Sequence, residues 1–166
     1  MTTTTANCST RAPHKKVTVH TLAALKARDE KAVFVTAYDY PTATFADRAG
    51  VDLLLVGDSA AMTVLGHANT LSITMTEMLV FARAVARGAQ RAFVVGDLPF
   101  LSYQVSVDET IRNAGRVLKE TGAQAVKIEG GVRSARTVEL LVKAGIPVMG
   151  HIGLTPQAIN AIGKVR

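Results

Sequence analysis

Five short runs of the chain are nearly continuous in hydrophobicity and rich in β-branched residues: "AVFVTAY" (32–38), "VDLLLVG" (51–57), "AFVVGDL" (92–98), "AVKIEG" (125–130) and "IPVMGHIG" (146–153). Such runs predict parallel strands covered on both faces. Between them polar positions recur and helix punctuation appears. Pro41 suits a helix start and Gly50 its stop, and Thr74 with Glu77 and Ser106 with Glu109 have capping-box spacing. Met75, Met78, Leu79, Ala82, Val85 and Ala86 form one apolar stripe with Arg83 and Arg87 outside it, which assigns these methionines to the core. Gly122 and Gly145 close the next two helices, and Pro147 follows the second. The pattern predicts five β/α units and an α/β fold on a parallel sheet, either doubly wound or closed into a barrel.

Composition narrows this picture only a little. The 166 residues are 48% hydrophobic and 19% charged, enough for one globular core. No apolar run reaches the roughly 20 residues of a membrane-spanning helix, so no membrane association is expected. The single cysteine, Cys8, has no intrachain partner, which fits a reducing compartment and a cytoplasmic location. The net charge of +6 is dispersed, with Arg133 and Arg136 on one helix and no interleaved aromatics, so nucleic acid is not expected as a partner. The field still suits an anionic substrate. Residues 1–16, threonine-rich and without an acidic residue, are expected to be a flexible leader, with the domain running from 17 to 166.

The candidate chemistry lies where the apolar runs end. Asp58, Asp97, Glu129 and His151 each stand at the C-terminal end of a predicted strand, and no G-x-G-x-x-G or Walker A sequence follows any strand. In a (β/α)₈ barrel, function collects at this end of the strands. Three carboxylates facing one space repel one another, and a divalent cation resolves the conflict. Hard oxygen ligands select Mg²⁺ or a similar ion; zinc is disfavoured, because no cysteine is available and the four histidines are scattered. Next to such a metal, Lys127 and Ser59 suit the carboxylate of a 2-oxo acid, whose enolate a Lewis acid stabilises. Gly57, Gly130 and Gly131 are read as sharp turns beside these residues, a role that ordinary β-to-α turns fill equally well.

Together "TAYDYPTA", "LLVGDSAAMTVLGH", "DLPFLSY", "VKIEGG" and "AGIPVMGHIGLTPQ" closely resemble the ketopantoate hydroxymethyltransferase family over residues 17 to about 163. The resemblance implies a TIM barrel, Mg²⁺, a large homo-oligomer, and transfer of a hydroxymethyl group from 5,10-methylenetetrahydrofolate to 3-methyl-2-oxobutanoate, giving 2-dehydropantoate in pantothenate biosynthesis. It implies Asp58, Asp97 and Glu129 at the metal and Asp58, Ser59, Asp97 and Lys127 at the oxo acid. His151 falls near the substrate without a defined task, and Tyr38 and Asp39 are expected to support the site. A (β/α)₈ barrel usually takes ~250 residues, so five units are an incomplete barrel. The family's proton-transferring glutamate is expected beyond Arg166, and the edges at 32–38 and 146–153 are expected to be unpaired. Two alternatives stay open: a non-catalytic remnant or assembly subunit, and a related metal-dependent lyase acting on pyruvate-like substrates.

Overall fold

A computed structural model describes residues 15–163. The expected leader therefore lies outside the described residues, apart from the exposed Lys15 and Lys16. Val17 is buried, and its N–H donates to the Arg91 carbonyl.

In chain order the elements are α1 (Val19–Ala27), β1 (Phe34–Thr36), α2 (Tyr40–Ala49), β2 (Leu53–Val56), α3 (Ala60–Thr63), α4 (Met75–Gly88), β3 (Phe93–Asp97), α5 (Val107–Thr121), β4 (Ala125–Glu129), α6 (Ala135–Lys143), β5 (Val148–His151) and α7 (Ile159–Ile162). The five strands form one sheet in the order β1-β2-β3-β4-β5, every pair parallel. The strands are shorter than the apolar runs that announce them. Val51, Ala92, Leu98 and Ile146 flank strands and are buried in the turns, so hydrophobicity continues where the ladder has stopped.

Helix ends follow the chemistry of their caps. Thr74 and Glu77 form a reciprocal capping box on α4, whereas Ser106 caps α5 by accepting the Glu109 N–H. Asp39 caps α2, placing Pro41 in the first turn, and Gly50 ends it in the left-handed region at φ 91°. Met78, Leu79, Ala82 and Val85 of the α4 stripe are buried, with Met75 and Ala86 packed against the same core. Neither the short α3 nor α1 was expected; α1, whose apolar residues do not gather on one face, begins at a Thr18 capping box.

Strand residues alternate between two environments. Leu54, Val56, Val94, Val126 and Ile128 join the larger core, under the neighbouring helices α2, α4, α5 and α6. Leu53, Phe93, Val95 and Ala125 point to the other face, where Val17 and Leu22 cover them at the N-terminal end of the strands. This second face decides where the chemistry sits. β1 and β5 are the sheet's edges; β1 is exposed along its length, while β3 and β4 are buried throughout.

Candidate active site

Following the inner face towards the C-terminal ends, the side chains change from apolar to charged. On β3 the sequence is Phe93, Val95, Asp97; on β4 it is Ala125, Lys127, Glu129; on β5 it is Met149, His151. Register then sets neighbours side by side, because Asp97 pairs with Lys127 and Glu129 with His151. Val56 pairs with Gly96, so the chain leaving β2 delivers Asp58 next to Asp97. Its N–H donates to Asp97 Oδ2 at 3.2 Å.

The predicted residues meet in one cluster. Lys127 Nζ is 2.9 Å from Asp97 Oδ2 and 3.5 Å from Glu129 Oε1. His151 Nδ1 lies 3.1 Å from Glu129 Oε1 and 3.4 Å from Lys127 Nζ. One nitrogen cannot donate to the carboxylate and accept from the ammonium at once. A proton on Nδ1 satisfies Glu129 and leaves the ammonium to Asp97. Asp58, Asp97, Lys127 and Glu129 are buried, whereas the His151 side chain is 33% exposed at the sheet edge.

Ser59 stands at the margin of the cluster, its Oγ 2.8 Å from Tyr38 Oη. Tyr38 thus supports Ser59. Asp39 does not reach the site: it is exposed, and both its oxygens accept from Thr42. Gly57 is not one of the left-handed glycines; a Cβ there would come within 2.9 Å of Ser59 Oγ, so the position needs space more than a turn. Gly130 does need its freedom, at φ 129°, as the chain leaves Glu129.

Two further residues hold the cluster together. Gln157 Nε2 donates to Asp58 Oδ2 and to the Leu98 carbonyl, both at 2.9 Å, while its main-chain N–H donates to Glu129 Oε2 at 3.1 Å. Tyr103 Oη donates to Gln157 Oε1 at 2.7 Å and accepts the Glu129 N–H at 3.1 Å. Both lie inside recognised sequence motifs, but nothing local in the sequence marks either as a site residue. Beside them a cavity of about 450 Å³ opens, lined in part by Phe100, Tyr103, Glu129, Arg133 and Gln157.

Burial raises the Asp58 pKa above its ordinary value, against the pull of Gln157 and Lys127. Burial also pushes Asp97 up to about 7, with Lys127 opposing and Asp58 adding to the rise. For Lys127 burial acts against the charge, yet Asp97, Glu129 and Asp58 outweigh it and hold the ammonium above its usual value. In their ionised forms the three carboxylates and one ammonium leave two uncompensated negative charges. Asp97 Oδ1 is buried without a hydrogen-bond partner. The Thr70 hydroxyl makes no well-formed hydrogen bond either, although it lies close enough to Asp58 to favour its ionised form. The orphaned oxygen and the charge deficit fit a divalent cation held by Asp58 and Asp97. Among the described residues no three His, Cys, Asp or Glu side chains form a ready metal cage, because Glu129 is turned to Gln157 and His151.

The profile of the ketopantoate hydroxymethyltransferase family matches residues 16–166. The chain belongs to this family. Two curated relatives named 3-methyl-2-oxobutanoate hydroxymethyltransferase give the distance. The Carboxydothermus hydrogenoformans protein is 57% identical over 148 residues, covering 89% of this chain and 54% of the relative. The Syntrophobacter fumaroxidans protein is 60% identical over 148 residues, covering 89% and 52%. The chain spans about half the length of the curated relatives it matches. Among solved structures, 2,3-dimethylmalate lyase of the PEP mutase/isocitrate lyase superfamily superposes with a TM-score of 0.59 at 18% identity, covering 79% of this chain and 51% of that one. Phosphonopyruvate hydrolase, solved with oxalate and Mg²⁺, gives 0.58 at 13% identity, with 84% and 65% covered. Those similarities establish the barrel-type α/β fold of this family member, with five of its β/α units in this chain.

Proposed function

We propose that this hydroxymethyltransferase family chain takes part in hydroxymethyl transfer from 5,10-methylenetetrahydrofolate to 3-methyl-2-oxobutanoate, and that its own residues form the Mg²⁺ and oxo-acid pocket. The observation that carries the reading is the orphaned, buried Asp97 Oδ1 beside Asp58 in a cluster short of positive charge. Asp58 and Asp97 would hold the ion, consistent with the one or two carboxylates that Mg²⁺ usually takes from protein. Glu129 would add charge to the metal site from one remove. When bound, Mg²⁺ supplies Lewis-acid polarisation of the oxo-acid carbonyl.

The protein's own groups do the holding. Lys127, with donors left after Asp97, suits the oxo-acid carboxylate. Ser59 can accept from Tyr38 and turn its own proton to the same carboxylate. His151 is the candidate within this chain for moving a proton, since its ring is anchored to Glu129 and partly open. The unpaired edges of β1 and β5 suit completion of the barrel by further strands. A homo-oligomer and a cytoplasmic setting belong to the same proposal; among the described residues no helix is long and apolar enough to cross a membrane.

Calorimetric titration of 3-methyl-2-oxobutanoate in the presence of Mg²⁺ tests the reading. Binding by the wild-type chain, weakened at least tenfold by Asp97→Asn, is expected; equal binding by the two proteins would contradict it.

A further inference from the structure

Gln157 is buried to 5% exposure and lies 99 residues along the chain from the Asp58 carboxylate it touches. Its hydrogen bonds leave no freedom in how the amide is oriented. The Nε2 side faces two groups that can only accept, the Asp58 carboxylate and the Leu98 carbonyl. Oε1 therefore faces the donors, Tyr103 Oη at 2.7 Å and Gln104 Nε2 at 3.3 Å. Tyr103 in turn is fixed as a donor to Gln157, because it already accepts the Glu129 N–H. Reversing the amide would set oxygen against carboxylate and carbonyl.

Through its two ends this residue ties two of the site's three acids to one point. The side chain grips Asp58 Oδ2, and the backbone N–H grips Glu129 Oε2. We infer that Gln157, held by Tyr103, is the positioning residue that fixes the Asp58 carboxylate for a divalent cation while holding Glu129 one remove from it, an inference that rests on the metal-site reading above. With Oδ2 engaged, the orientation of the Asp58 carboxylate is fixed. The Leu98 carbonyl, one residue past Asp97, brings the β3 terminus into the same clamp. Groups that hold a metal ligand from behind typically change metal affinity 10–100-fold when removed.

The test compares the wild-type 166-residue chain with Gln157→Met, Tyr103→Phe and the double variant. Methionine keeps the length and the backbone N–H to Glu129 but removes the grip on Asp58. Mg²⁺ affinity is measured by calorimetry with 3-methyl-2-oxobutanoate present, and unfolding temperature is recorded alongside. Gln157→Met is expected to weaken Mg²⁺ by about 10–100-fold at temperatures where all variants stay folded. Tyr103→Phe should weaken it less, and should add almost nothing once Gln157 is gone. Unchanged Mg²⁺ affinity in Gln157→Met overturns the inference, as do fully additive losses in the double variant. A wild-type chain that binds no Mg²⁺ sinks the metal reading instead. The Gln157–Asp58 link is then decided by a cycle of Gln157→Met and Asp58→Asn in unfolding temperature: additive losses overturn it, non-additive losses uphold it.

Discussion

The middle of the sheet and its two edges carry similar apolar sequence and end up in opposite conditions. β3 and β4 have a strand on each side, helices over one face, and no exposed residue. β1 has a neighbour on one side only, and all three of its residues are exposed. β5, at the other edge, is intermediate. The same division runs through the site. Asp97, Lys127 and Glu129, on the central strands, are buried in mutual contact, while His151 on the edge strand is one-third open. A charged cluster can be held dry only where neighbours on every side enforce it. That is why the buried carboxylates sit at the centre and the partly open imidazole sits at the rim.

The sharpest way to break this contrast is to remove the charge that makes central burial tolerable. Lys127→Met leaves Asp97 and Glu129 buried without their ammonium, and removing one partner of a buried pair costs about 3–5 kcal/mol. Urea unfolding at pH 8 should show a loss of that size, shrinking at pH 5, where Asp97, pushed up to about 7, is protonated and no longer needs the ammonium. A loss below the error of the measurement at both pH values would mean that Lys127 does not neutralise the cluster. Packing gives a second contrast. Leu54→Ala, at a fully buried position in β2, should cost about 2–5 kcal/mol, whereas Val35→Ala on β1, already 39% exposed, should cost less than about 1 kcal/mol. Equal costs would show that the β1 edge is covered in solution.

A third effect concerns pH. Asp97 titrates near 7 in the fold, above its ordinary value of 3.8, so the metal-free fold favours its protonated form. Stability from this group is full below about pH 4 and is lost as the pH rises through about 7, at up to about 1.4 kcal/mol per unit. Lys127, raised above 10.5, stays charged throughout that window and adds no slope. The unfolding temperature of the metal-free chain is expected to fall between pH 5 and 8, and saturating Mg²⁺ should flatten the fall. A metal-free profile that rises instead would show Asp97 ionised well below 7. At the margin of the site the expected effect is modest: Ser59→Ala removes the Tyr38 partner and should cost about 1 kcal/mol in urea unfolding. Its oxo-acid affinity should fall while Mg²⁺ binding alone is retained; a loss of Mg²⁺ binding would move Ser59 into the metal site.

The same contrast explains what was legible in the sequence. The strands, their parallel order and the gathering of Asp58, Asp97, Lys127, Glu129 and His151 could be read because buried parallel strands announce themselves as apolar runs, and their ends mark the functional rim. Short-range caps such as Thr74 with Glu77 were legible for the same reason, since donor and acceptor lie three residues apart. Gln157 and Tyr103 were not. Their partners lie 99 and 26 residues away, and an amide in a single 3₁₀ turn or a phenol in a loop has no local periodicity to betray its contacts. α1 escaped because its apolar residues are spread around the helix, so no stripe signals it. The expected support from Asp39 failed on a local competitor: its carboxylate is drawn to Thr42 as a helix cap.

In the proposed function, the charge deficit at Asp58 and Asp97, with Asp97 Oδ1 orphaned, is completed jointly by a divalent cation and the oxo acid. The most direct measurement is the dissociation constant of 3-methyl-2-oxobutanoate for the wild-type chain as a function of Mg²⁺ concentration, with EDTA as the zero point. Linkage requires that if Mg²⁺ tightens the oxo acid, the oxo acid tightens Mg²⁺ by the same factor. Tightening by at least about tenfold, matched in the reciprocal titration and corresponding to about 1.4 kcal/mol of coupling, is the predicted result. An oxo-acid affinity that is the same in EDTA and in saturating Mg²⁺ would contradict the account.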